Sequence, residues 1–135
     1  PARVIVDSSA IAAILFGEPE RETFVGALRR AGGAEMSAAS YVEIAAVVDG
    51  RRDPALSREL DALLDQLRVS VVDVTTQQAR IAREAYRDFG RGSGHRARLN
   101  LGDCYSYALA TSRRDPLLFK GDDFIHTDVR TVDLS

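Results

Sequence analysis

The sequence contains a single cysteine, Cys104, and only two histidines, His95 and His126, spread over 135 residues. One thiol cannot close an internal disulfide, which excludes a disulfide-stapled fold and suits a reducing compartment such as the cytoplasm. The same scarcity leaves no nitrogen–sulfur ligand set of the zinc kind. Long apolar runs are missing as well. None approaches the ~18 residues a bilayer helix needs, and no basic-then-apolar leader opens the sequence. There is no large excess of either charge: a net charge of −2 gives no overall attraction to nucleic acid and argues against a protein that merely coats it. Internal repeats and low-complexity linkers are absent too. Residues 1–135 are therefore expected to form one domain, large enough to bury a core without disulfides or structural metal.

What remains is a globular composition, 45% apolar and 28% charged. Val4-Ile5-Val6 reads as a short strand buried on both faces, followed at once by a helix to Leu15 that Gly17 ends. Glu18-Pro19 is expected to restart a helix with proline in its first turn; Phe24, Val25 and Leu28 form its apolar face, and Gly32-Gly33 stop it. A strand over 34–36 leads into a helix over 38–48. Asp53-Pro54 opens an amphipathic helix carrying Leu56, Leu60, Leu63, Leu64 and Leu67. The β-branched stretch 69–74 predicts a strand, Thr75 or Thr76 caps a helix reaching Phe89, and Asn100 caps another from Leu101 to about Ser112. Asp115-Pro116 turns into a strand at Leu117-Leu118-Phe119, and a last strand is expected near 130–132. Short strands alternating with helices imply an α/β domain with a mostly parallel sheet. Right-handed crossovers then put the strand-to-helix turns along one edge, where ligands of such sheets bind.

Acidic residues recur at those junctions: Asp7 after the first strand, Glu43 in Ser40-Tyr41-Val42-Glu43, Asp103 in Asn100-Leu101-Gly102-Asp103, and Asp122-Asp123 after Lys120-Gly121. Each has a local explanation. Asp7 can cap a helix, and Ser40-x-x-Glu43 matches a capping box. Asp103 lies where the helix dipole favours an acid, and Asp122-Asp123 suits a turn. Those local roles do not explain why all of them sit at strand–helix junctions with apolar flanks such as Val6, Val42 and Ile44, which suggest partly buried carboxylates. Gathered together, they would form a cage of hard oxygen ligands for Mg²⁺ or Mn²⁺. A divalent ion neutralises a phosphodiester's charge and acidifies its bound water, so metal-assisted phosphodiester cleavage is the leading expectation. Cys104 reads as a small core residue and the histidines as surface or loop residues.

Between Phe89 and Leu101 the chain runs Gly-Arg-Gly-Ser-Gly-His-Arg-Ala-Arg-Leu-Asn, with Arg91, Arg96, Arg98 and no acid. This loop is either a phosphate-contacting arm beside the acidic site or an ordinary solvated surface.

Four blocks in order give the chain a resemblance to the PIN-domain ribonucleases, and within them to the VapC toxins of bacterial toxin–antitoxin pairs. They are Val4-Ile5-Val6-Asp7-Ser8-Ser9-Ala10, Met36-Ser37-Ala38-Ala39-Ser40-Tyr41-Val42-Glu43, Leu99-Asn100-Leu101-Gly102-Asp103-Cys104, and Leu117-Leu118-Phe119-Lys120-Gly121-Asp122-Asp123-Phe124 with Thr127-Asp128. The resemblance implies a three-layer α/β/α domain around a short parallel sheet, a homodimer, Mg²⁺- or Mn²⁺-dependent RNA cleavage, and a cognate VapB-like antitoxin. It implies that Asp7, Glu43 and Asp103 are the first three catalytic acids, with Asp7 and Asp103 holding the metal, Ser9 orienting Asp7, and Asn100 in support. The family's fourth acid commonly occupies the slot held here by Gly121, so the role passes to Asp122, with Asp123 beside it as the alternative. Two other functions share these features: a housekeeping RNA-processing or DNA-acting nuclease, and a non-catalytic interaction module with the same fold.

Overall fold

Strand β1 (Val4–Val6) is buried along its whole length and runs between two parallel neighbours in the computed structural model, which describes residues 3–135. On one side lies β2 (Ala34–Ser37), with Val4 opposite Ala34 and Ile5 opposite Glu35. On the other lies β4 (Leu117–Leu118), with Ile5 opposite Leu117. Strand β3 (Val69–Val72) adds to β2, so the sheet is parallel throughout in the order β3-β2-β1-β4.

Alternation along each strand divides the core into two layers. Val4, Val6, Met36 and Leu118 pack against α1 (Ser8–Leu15), α2 (Arg21–Ala31), α3 (Ala38–Asp49) and α4 (Pro54–Gln66). Ile5 and Leu117 face α5 (Thr76–Phe89) and α6 (Leu101–Arg113). The result is a three-layer α/β/α sandwich. Because both faces are covered there, the central strand β1 and its neighbour β4 read as continuous apolar runs, whereas the outer strand β3 is partly exposed. Met36 and Ile14 are fully buried, and truncating either to alanine is expected to cost ~2–5 kcal/mol. The same alternation turns Glu35 toward α6, where Arg113 (2.8 Å) and Arg3 (2.9 Å) each hold one carboxylate oxygen. That buried acid is therefore neutralised in place and belongs to the scaffold.

Several expected boundaries shift, each for a local reason. Pro19 lies in a turn, and α2 begins at Arg21 after Glu20. Strand β3 ends at Val72 rather than Val74, and Thr75 rather than Thr76 caps α5 by accepting from Gln78 N (3.1 Å). The strand expected near 130–132 reduces to one parallel bridge between Leu117 and Thr131, made by Leu117 N to Arg130 O and Val132 N to Leu117 O. Among the described residues, no helix is long and apolar enough to cross a membrane.

Candidate active site

Asp7 follows β1 directly, at the carboxyl edge of the sheet, and is 2% exposed. It is indeed an N-cap: its Oδ2 accepts from Ser9 N (3.0 Å) and opens α1. The cap engages only one oxygen. Oδ1 accepts from the Ser106 hydroxyl of α6 (2.5 Å), and the Ser40 and Ser106 hydroxyls lie 2.9 Å apart. Ser106 has one proton and gives it to Asp7, so Ser40 donates to Ser106. A buried relay from α3 through α6 thus fixes the Asp7 carboxylate. Ser9 supports Asp7 through its backbone N–H, not its hydroxyl, which accepts from Lys120 N (3.0 Å) and ties the loop after β4 to α1.

Glu43 corrects the capping-box expectation. Ser37 caps α3, accepting from Ala39 N (3.2 Å), which moves Ser40 into the helix and leaves Glu43 without a backbone partner at the helix start. Instead Glu43 Oε1 accepts from the Ser8 hydroxyl (2.5 Å), so it points across to the start of α1. Its Oε2 rests against Gly102, where any added side-chain carbon would collide with it. The apolar flank misled in one respect: Val42 is 64% exposed, so it does not bury Glu43.

Asp103 forms the capping box of α6 with Asn100. Asp103 N donates to Asn100 Oδ1 (2.9 Å), and Asn100 N donates to Asp103 Oδ2 (3.0 Å). Asp103 Oδ1 has no hydrogen-bond partner among the described residues. Burial pushes this carboxyl up to about 7; the Asn100 N–H opposes the rise, and the nearby charges of Asp7, Asp123 and Glu43 add to it. Asp122 is not among those charges. Of the pair after Gly121, Asp123 is thus the one whose charge adds to the rise of Asp103, although both are exposed and β4 ends several residues before them, at Leu118. Cys104 is fully buried, and burial, with Asp103 beside it, pushes its thiol up to about 12, which removes it as a nucleophile.

The loop after α5 is built rather than slack. Arg91 N to Leu99 O (2.9 Å) and Leu99 N to Phe89 O (2.8 Å) close it. Inside it, Ser93 Oγ donates to Gly90 O (2.6 Å), His95 N to Ser93 Oγ (3.1 Å), and Ala97 N to His95 Nδ1 (3.0 Å). His95 also stands edge-on to Phe89 at 4.9 Å, so it organises the loop instead of idling on the surface.

The donor chemistry fits a hard divalent cation. Asp7, Glu43, Asp103 and Asp123 offer oxygen alone, and a cation among them would relieve the like charge that raises Asp103. Among the described residues, no three His, Cys, Asp or Glu side chains already converge as ligands on one point.

The comparisons agree with this geometry. The PIN domain family model matches residues 4–130. Ribonuclease VapC28 of Mycobacterium tuberculosis is 55% identical over 127 residues, covering 94% of this chain and 96% of the relative. Ribonuclease VapC42 of the same species is 54% identical over 127 residues, covering 94% and 97%. The crystal structure of VapBC2 from Rickettsia felis bound to a DNA fragment from their promoter shares the fold, with a TM-score of 0.77 at 10% identity over 97% of each chain. With a four-stranded parallel sheet, acids gathered at its carboxyl edge, and near-full-length identity to VapC ribonucleases, this chain belongs to the PIN-domain family and, within it, to the VapC group.

Proposed function

We propose that this chain is a Mg²⁺- or Mn²⁺-dependent endoribonuclease acting as the toxin of a VapBC-type toxin–antitoxin pair. The observation that carries the reading is that Asp7, bonded to Ser106 of α6, Glu43, resting against Gly102, and Asp103, next to Gly102, come from three separate stretches of sequence to one corner of the fold, in a chain 54% identical to a VapC ribonuclease. Asp7 and Asp103 are the residues assigned to hold the ion, Asp7 locked by Ser106 and Ser9, Asp103 with Oδ1 free. When bound, the ion supplies charge neutralisation at the phosphodiester and a water acidified for attack. Glu43, whose Oε1 accepts from the Ser8 hydroxyl, would support the ion and help position its water. Asp123 takes the fourth position in this reading, in preference to Asp122, because its charge is the one that acts on Asp103.

The partners that follow are RNA, a small antitoxin whose arginine or lysine pairs with the acids the cation otherwise occupies, and a second copy of the chain. The site of action is the cytoplasm, where both RNA and antitoxin are available. RNA cleavage with Mg²⁺, its loss in excess EDTA, and its loss in Asp7→Asn test the enzyme. Rescue of growth by co-expressing the neighbouring small gene tests the toxin role. Cleavage that persists undiminished in EDTA defeats the metal assignment, and a failure to rescue growth or to form a stable complex defeats the toxin role.

A further inference from the structure

A cavity of about 360 Å³ opens beside the acids, lined by Arg91, Arg96 and Arg98 of the closed loop and by Asp122, Asp123 and His126. Two features set it apart from an ordinary solvated surface. The arginines stand on a rigid frame: Ala97 and Leu99, alternating with Arg96 and Arg98, are buried and anchor the loop, and the internal hydrogen bonds fix its course. Moreover, although Asp122 and Asp123 line the same cavity, none of the three arginines forms an ion pair among the described residues. Three arginines thus line one pocket without an ion-pair partner among the described residues.

Guanidinium forks match the paired oxygens of a phosphate, and an anion entering the pocket would give these arginines the partner they lack. Asp123 lines this cavity and also acts on Asp103, so cavity and acidic site share a wall. We propose that this pocket is a phosphate subsite that takes a phosphate flanking the scissile one, so that a single RNA strand is held at two neighbouring points: by cation and acids at one, by Arg91, Arg96 and Arg98 at the other. His126, on the short turn Phe124–His126, closes the pocket as a positioning residue. The inference rests on the nuclease reading above. It makes substrate anchoring independent of base identity, because phosphate contacts position the strand without reading it.

The test is binding of a fluorescein-labelled single-stranded oligoribonucleotide by anisotropy, from 50 to 200 mM KCl, with Mg²⁺ replaced by EDTA and in its presence. Arg91→Gln, Arg96→Gln and Arg98→Gln together should weaken binding at least ~10-fold at 100 mM and flatten the log–log salt slope by about 2, from ~0.7 per lost single-strand contact. A charge-matched control replaces exposed Arg58, Arg80 and Arg83 of α4 and α5 with glutamine and should change binding far less. In cleavage assays the loop variant should raise KM by more than it lowers kcat. His126→Ala should weaken binding several-fold at an unchanged melting temperature. Arg96→Glu alone serves as a second loop variant and should weaken binding more than Arg96→Gln. Affinity and salt slope equal to wild type in the loop variants, equal losses in the control, or loss of antitoxin binding with RNA affinity intact would each overturn the subsite. Since binding is read without turnover, an inactive wild type that still binds RNA through this loop would count against the nuclease reading alone.

Discussion

Replacing Asp103 with asparagine separates the cost of the acidic cluster from its use. In the fold this carboxyl holds its proton up to about 7, because it is buried and faces Asp7, Asp123 and Glu43. In the unfolded chain it ionises near 3.9. Between those values the native state binds more protons than the unfolded one, so this group lowers stability as pH rises through the window, and it is neutral in both states below it. The displacement corresponds to at most ~4 kcal/mol above pH 7, and water reaching the carboxyl reduces it to about 2 kcal/mol. Asparagine keeps an oxygen for the Asn100 N–H and the overall shape while removing the charge. Asp103→Asn should therefore stabilise the metal-free protein by about 2 kcal/mol at pH 8, roughly 6–10 °C in Tm, and by little at pH 5. Adding Mg²⁺ at pH 8 should raise the Tm of wild type, by mass action on a site present only in the folded state, and not that of the variant. RNA cleavage should fall by orders of magnitude. The assay is thermal unfolding at both pH values in EDTA and in Mg²⁺. A variant no more stable than wild type at pH 8, or equally stabilised at both pH values, would refute the claim that buried like charge is stored at this site.

Glu43→Gln should retain the Ser8 contact and the melting temperature yet abolish cleavage; an active variant would mean that Glu43 only shapes α3. Gly102→Ala pushes Glu43 out of place without replacing any acid, so activity should drop while circular dichroism and oligomeric state stay unchanged. Ser106→Ala removes a hydrogen bond to a charged group and leaves Ser40 without its acceptor; a loss of about 1.5–3 kcal/mol by urea unfolding is expected, with weaker Mg²⁺ binding by calorimetry. Asp123→Asn should impair cleavage more than Asp122→Asn, and the reverse order in a kinetic comparison would return the fourth role to Asp122.

Local chemistry wrote much of this protein into its sequence. The apolar run Val4–Val6 could only be a strand covered on both faces, and Asp53-Pro54, Asn100 and Gly32 mark helix ends by satisfying backbone groups close to them in the chain. The acids at strand–helix junctions were legible for the same reason, since a parallel sheet with right-handed crossovers leaves them one edge to share. What the sequence left open depends on partners far along the chain. Asp7 and Ser106 are 99 positions apart, and Ser8 and Glu43 are 35 apart; only the packing of α6 and α3 around β1 brings those hydroxyls to those carboxylates. Spacing did carry a faint signal, because Ser106 lies one helical turn beyond Asp103 and shares its face. Nothing local distinguishes Asp122 from Asp123, or marks Glu35 as scaffold rather than site, because each distinction rests on which side chain meets it across the fold. Tertiary structure decides the second: Glu35 is held between Arg3 and Arg113 on the α6 face of the sheet; for the pair, the charge of Asp123 is the one that adds to the rise of Asp103. Burial and long-range charge, which exist only once the layers close, bring two helix-start acids, Asp7 and Asp103, into one environment with Glu43.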